Sequence, residues 1–71
     1  MTNADWLEDL WDNILSENPT RIVAKWRELN AEEQGAIWEH LNKMTTEEGW
    51  ADVQRESAQA AINALKEAGE R

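Results

Sequence analysis

The stretch that decides the fold is residues 50–68, WADVQRESAQAAINALKEA. At about 100° per residue, one stripe of this helix carries mostly small side chains: Trp50, Val53, Ser57, Ala60, Ala61, Ala64 and Ala68. Further apolar residues widen the arc to more than half of the circumference: Ala51, Ala58, Ile62 and Leu65. A helix that is apolar on two flanks usually lies between two partners. The pattern therefore predicts a central helix 4, with helices 1 and 3 on its two sides.

Helix-capping signals divide the rest of the chain. Asn18 before Pro19 predicts the start of a second helix, and Asn30 with Glu33 predicts a capping box at the start of a third. Thr45 with Glu48 predicts another box, which opens helix 4 and places Gly49 inside it. We therefore expect a single all-α domain over residues 1–71. It is a compact bundle of four short helices at about 3–17, 19–29, 31–43 and 46–68.

Length and composition exclude several classes of protein. A chain of 71 residues has little apolar surface to spare, so we expect a surface groove or a dimer seam rather than a large cavity. The absence of cysteine excludes disulfides and thiolate sites. The sequence begins without a signal-peptide pattern and contains no membrane-length apolar run, so a cytoplasmic location is expected. The net charge of −8 disfavours direct contact with nucleic acid or anionic membranes and favours a basic protein partner.

Four carboxylates follow helical spacing on one face of helix 1: Asp5, Glu8, Asp9 and Asp12. We call this set the acidic ridge. It fits best a solvated face whose acids favour the helix N-terminus, and the alternative is a surface for a basic protein. Calcium wants six or more oxygens, which helical side chains rarely supply without a ligand loop. We therefore predict no metal and no other cofactor.

Five tryptophans make up the whole aromatic content of the chain. Trp11, Trp26 and Trp50 lie close to the core side of their helices, so folding alone explains them. Trp6 and Trp38 lie at the margins of their apolar faces and are the candidates for exposed anchors.

Helix 1 presents an apolar face centred on Leu7 and Ile14, and Ile37 lies on the buried face of helix 3. The apolar face of helix 1 is expected to pack on its own domain, although such helices also dock into grooves of other proteins.

The remaining polar residues do not indicate catalysis. His40 is the sole histidine, and no nucleophile has a helix-compatible spacing to it, so we expect no enzyme. Arg21, Lys25 and Arg27 form the one basic cluster and are expected to pair with acidic neighbours. Helix 3 is too acidic to read a DNA groove.

We interpret the chain as a small, acidic, non-catalytic module or regulator that binds another protein. One alternative is an acidic mimic of nucleic acid that inhibits a DNA- or RNA-binding protein. Another is a small structural homo-oligomer, such as a homodimer with Ile62 and Leu65 in the seam. Ile62 lies farthest from the main stripe of helix 4, so either helix 1 covers it or another chain does. The predicted partner-binding residues are Trp6, Trp38, Asp5, Glu8, Asp9, Asp12 and Ile62.

Overall fold

The computed structural model describes the backbone of residues 3–71 and the side chains of residues 6–71. Within this part of the chain the fold is all-α, as predicted, with four helices and no strand. They are α1 (Asn3–Ile14), α2 (Pro19–Arg27), α3 (Ala31–Thr46) and α4 (Asp52–Glu67). None of the described helices combines the length and the apolar character needed to cross a membrane.

Two of the predicted helix starts are confirmed in atomic detail. The Asn18 side chain accepts hydrogen bonds from the backbone N–H groups of Thr20 (3.0 Å) and Arg21 (3.3 Å), and Pro19 is the first residue of α2. At the start of α3, Asn30 Oδ1 accepts from the Glu33 N–H (2.8 Å), and Glu33 Oε1 accepts from the Asn30 N–H (2.9 Å). Each cap satisfies backbone donors that the first turn of a helix leaves unpaired.

The first two helices end earlier than predicted. Ile14 is the last residue of α1, because Glu17 adopts a left-handed backbone conformation (φ 61°) that closes the turn into α2. In the last turn of α2, the N–H groups of Glu28 and Leu29 bond to the carbonyls three residues earlier. This tighter 3₁₀ pattern ends the α-helix at Arg27.

The predicted capping box at Thr45 and Glu48 is wrong. The hydroxyls of Thr45 and Thr46 donate backwards to the Asn42 carbonyl (2.9 and 2.8 Å), so both threonines belong to the last turn of α3. Gly49 follows in the turn with φ 98°, which no α-helix allows. Helix α4 begins only at Asp52, and the Gln54 side chain accepts from the Ala51 N–H (3.0 Å).

The corrected position of Gly49 predicts the sign of a substitution. Because Gly49 has a positive φ, Gly49→Ala is expected to lower the free energy of unfolding by about 1–2 kcal/mol. Gly35 lies inside α3, where Gly35→Ala should raise it by about 0.5–1 kcal/mol. A Cβ at either position meets no atom within 4 Å, so the backbone alone decides both signs. Urea unfolding measures the free energy of unfolding of both variants. A Gly49→Ala variant more stable than the wild type would contradict the positive φ of Gly49 in this turn.

The packing order differs from the prediction in one respect. Helix α4 packs against α3 and α2, whereas α1 packs chiefly on α2, so α2 takes the place predicted for helix 1. The small residues Ala58, Ala61 and Ala64 are buried, as a close approach of neighbouring helices requires. The rest of the buried apolar core consists of larger residues: Leu10, Ile14, Ile22, Trp26, Leu29, Ile37, Leu41, Met44, Ile62 and Leu65.

The prediction of Ile62 as a partner-binding residue is wrong for the folded chain. Ile62 is 4% exposed and Leu65 is fully buried, and both belong to the core. The apolar arc of α4 is wide because two helices cover it, so its outlying residue is covered too. A homodimer seam made from Ile62 and Leu65 is therefore not available on the surface.

Candidate functional site

A groove of about 260 Å³ runs between α1 and α3. Four of its lining residues come from the first three turns of α1 and three from the N-terminal half of α3: Trp6, Leu7, Leu10, Trp11, Glu33, Ala36 and Ile37. Trp6 is 48% exposed and Leu7 is 44% exposed, whereas Leu10 and Ile37 form the buried floor. We call this site the α1/α3 groove.

The local sequence explains why the groove is open. Along α1, Leu10 and Ile14 are buried against the domain, but Trp6 and Leu7 lie one turn earlier. Across from them α3 presents Ala36, whose methyl group is too short to cover two large side chains. The prediction that Trp6 is partly exposed is confirmed. Leu7, which lies at the centre of the helix 1 apolar face, was expected in the core and is instead half exposed.

One acidic side chain lines the groove. It is Glu33, whose carboxylate is held by the hydrogen bond from the Asn30 N–H. Glu8 and Asp12 are exposed on α1, on the acidic ridge rather than among the lining residues. Among the described side chains, no lysine or arginine lies within ion-pair distance of Glu8, Asp12 or Glu33. These charges therefore remain available to an incoming molecule.

One carboxylate of the acidic ridge, Asp9, forms an ion pair within the domain and remains largely exposed. Its Oδ2 lies 2.6 Å from Lys25 Nζ, which joins α1 to α2, and Lys25 also approaches Glu28 (3.7 Å). The hydrogen bond to Asp9 raises the pKa of Lys25 above its ordinary value, although partial burial lowers it. Arg27 pairs with Glu70 (3.4 Å), so the expected pairing of the basic cluster is confirmed for Lys25 and Arg27. The Asp5 side chain lies outside the described residues.

Trp38 does not line the groove. Its ring meets the edge of Trp26, with 6.4 Å between centroids, and the Arg71 guanidinium lies 5.5 and 5.6 Å from the Trp26 and Trp38 rings. Trp38 is half-buried in this cluster, as Trp11 and Trp50 are in theirs. The structure therefore separates the two tryptophans that the sequence singled out: of Trp6 and Trp38, only Trp6 lines the groove.

His40 lies between two indole rings. Its centroid is 5.0 Å from that of Trp11 and 5.6 Å from that of Trp50, the second in an edge-on arrangement. These contacts connect α1, α3 and the turn before α4 through ring packing. His40 thus holds Trp11, which forms one end of the groove, against α3.

One other depression offers a weaker site. A shallow depression of about 480 Å³ between α2 and α4 is larger than the groove, but its apolar walls are short side chains, chiefly Pro19, Val23 and alanines. Nothing there gives the large, exposed apolar contact that Trp6 provides. Within the described residues, no three histidine or acidic side chains come together in an arrangement suited to a metal ion.

Sequence reasoning missed Leu7, Ala36, Ile37 and Glu33 as parts of one site. Periodicity placed Leu7 and Ile37 correctly on apolar faces, but it does not say which part of a face a neighbouring helix covers. The signal that was present is the contrast in size between Trp6 and Leu7 on α1 and the Gly35–Ala36 pair on α3. Comparison with protein-family models, curated proteins and solved structures finds no match to this chain.

Proposed function

We propose that this protein is a small, acidic, non-catalytic module that binds another protein through the α1/α3 groove. The observation that carries the proposal is the pair Trp6 and Leu7, both about half exposed and both lining the α1/α3 groove. Tryptophan is enriched among the residues that dominate binding energy at protein interfaces. A domain this small gains stability from every large apolar residue it buries, so leaving two in solvent favours a role in binding.

The size of the groove supports a protein partner over a small molecule. Sites for small molecules usually enclose about 300–1,000 Å³ with several converging polar groups. The α1/α3 groove has about 260 Å³, and Glu33 is its one charged lining residue. Such a groove suits a few apolar side chains that project from a larger surface.

The side chains that could act in catalysis are held in contacts with other residues. His40 lies between Trp11 and Trp50, and the Ser57 hydroxyl donates to the Glu17 carboxylate (3.3 Å). These contacts support the non-catalytic part of the proposal. Mimicry of nucleic acid is less well supported, since Asp9 is neutralised by Lys25. We also propose a cytoplasmic location, because a chain without cysteine needs no oxidising compartment.

Trp6→Ala is expected to abolish capture of the partner from a native lysate while leaving the fold intact. Because Trp6 is about half exposed, its loss should lower the free energy of unfolding by about 1.5–2.5 kcal/mol, half of the loss typical of a buried tryptophan. Immobilised wild-type protein and Trp6→Ala are compared for the proteins that each retains, and circular dichroism follows the thermal unfolding of both.

Val53→Ala is the matched control, because Val53 is 69% exposed on α4 and does not line the groove. It should retain the same partner as the wild type. If Trp6→Ala keeps the partner, or if Val53→Ala loses it equally, the groove is not the binding surface. If Trp6→Ala unfolds the domain, Trp6 is a structural residue and the proposal fails.

A further inference from the structure

The walls of the α1/α3 groove restrict the backbone of anything that binds there. Both walls are α-helices, whose backbone N–H and C=O groups bond within each helix. The lining side chains are apolar except for Glu33. An extended peptide would bury unpaired backbone groups against this surface, at about 1–3 kcal/mol for each. An α-helix satisfies its own backbone and presents only side chains, so the groove favours a helical segment.

The charges around the groove restrict the sequence of that helix. The chain carries −8 overall, and Glu33, the one charged lining residue, has no cationic partner among the described residues. A second copy of this chain would bring the same negative charge to the interface and be repelled. A segment with lysine or arginine beside its apolar stripe would instead meet opposite charge at Glu33, and the negative field of the whole domain would speed its association.

We propose that the groove binds a basic amphipathic helix. Apolar side chains at i, i+3, i+4 and i+7 pack against Trp6, Leu7 and Ile37, and a flanking lysine or arginine meets Glu33. The Glu33 carboxylate is oriented in advance, because its Oε1 accepts the Asn30 N–H. This inference rests on the proposed function and specifies the chemistry of its partner.

Synthetic peptides test the proposal directly. Three fluorescent helices of about 18 residues share one leucine stripe and carry lysine, glutamine or glutamate elsewhere. A fourth has the lysine composition with its leucines scattered around the helix. Fluorescence anisotropy gives the affinity of each for the 71-residue protein. We expect the striped lysine peptide to bind most tightly. Its affinity should fall as added salt shortens the Debye length to about 3 Å near 1 M.

Variants of the protein separate the apolar and the charged contributions. Leu7→Ala should weaken binding of the striped lysine peptide about 3- to 10-fold, since the 44% of Leu7 that is exposed contributes about 0.7–1.3 kcal/mol when it is buried. Glu33→Gln should weaken it about 2- to 5-fold, and glutamine still completes the capping box. Glu56→Gln, an exposed acid on α4, removes a charge away from the groove and should change little.

Several outcomes overturn the proposal. Equal binding of the scattered lysine peptide, or indifference to Leu7→Ala, would mean that charge alone attracts these peptides. Equal binding of the glutamine and lysine peptides would show that the partner need not be basic, and binding of a protein at the groove would still be supported. If no peptide binds while Trp6→Ala still loses the lysate partner, the basic helix is again rejected and the proposed function is kept. A dimer that Leu7→Ala disrupts would replace the basic helix with a second copy of the chain.

Discussion

Trp26→Ala is expected to remove about half of the domain's free energy of unfolding. Trp26 is 1% exposed and packs edge-on against Trp38. Its carbonyl also accepts the Gln34 side chain (3.0 Å), which connects α2 to α3. Truncating a buried tryptophan lowers the free energy of unfolding by about 3–5 kcal/mol. A domain of this length has about 4–10 kcal/mol in total.

Urea unfolding followed by circular dichroism measures this effect. The matched control is Trp6→Ala, which removes the same side chain from a half-exposed position and should lower the unfolding free energy by about 1.5–2.5 kcal/mol, half as much as Trp26→Ala. The contrast between the two tryptophans is the essential result. Equal losses from both substitutions would contradict the division into a core tryptophan and a groove tryptophan.

Ile62→Ala is expected to lower the free energy of unfolding by about 2–5 kcal/mol, because it leaves a cavity in the packed core. Ile62 is 4% exposed on the face of α4 that the other helices cover. Val53→Ala, on the exposed side of the same helix, should change the free energy of unfolding by less than about 0.5 kcal/mol. Denaturant unfolding compares the two variants.

Light scattering on the same samples separates a core role from an interface role. If Ile62 belongs to the core, the Ile62→Ala substitution changes stability at every protein concentration and leaves the mass of the folded fraction unchanged. If the Ile62→Ala variant is as stable as the wild type and differs only by no longer forming a dimer, the homodimer with Ile62 and Leu65 at its interface would be supported instead.

Local chemistry made part of the fold predictable. Asn18, Asn30 and Glu33 start helices because each of these side chains accepts from a backbone N–H within three residues. Pro19 adds a backbone already suited to the first helical position. The same reasoning failed at Thr45 because a threonine hydroxyl also donates backwards to a carbonyl, and in the folded chain it bonds to Asn42. Which bond forms depends on where α4 packs, and that is not encoded within the four residues of the box.

The candidate site was only partly predictable for a related reason. Helical periodicity placed Trp6 at an edge, and the structure confirms its exposure. It also placed Ile62 at an outlying angle, but two neighbouring helices bury it there. Leu7 shows the opposite error, since a central position on an apolar face stays open when the facing residue is as small as Ala36. Periodicity identifies faces, whereas tertiary packing decides which part of each face is covered.

The most direct test of the groove is the indole N–H region of a two-dimensional proton–nitrogen NMR spectrum. The five tryptophans give five signals, which single Trp→Phe substitutions assign. On titration with the striped lysine peptide, we predict that the Trp6 signal moves most and the Trp11 signal moves next, because both line the groove. The Trp26 signal, from the buried core, should stay in place. A titration that moves the Trp38 signal while the Trp6 signal stays fixed would contradict binding at the α1/α3 groove.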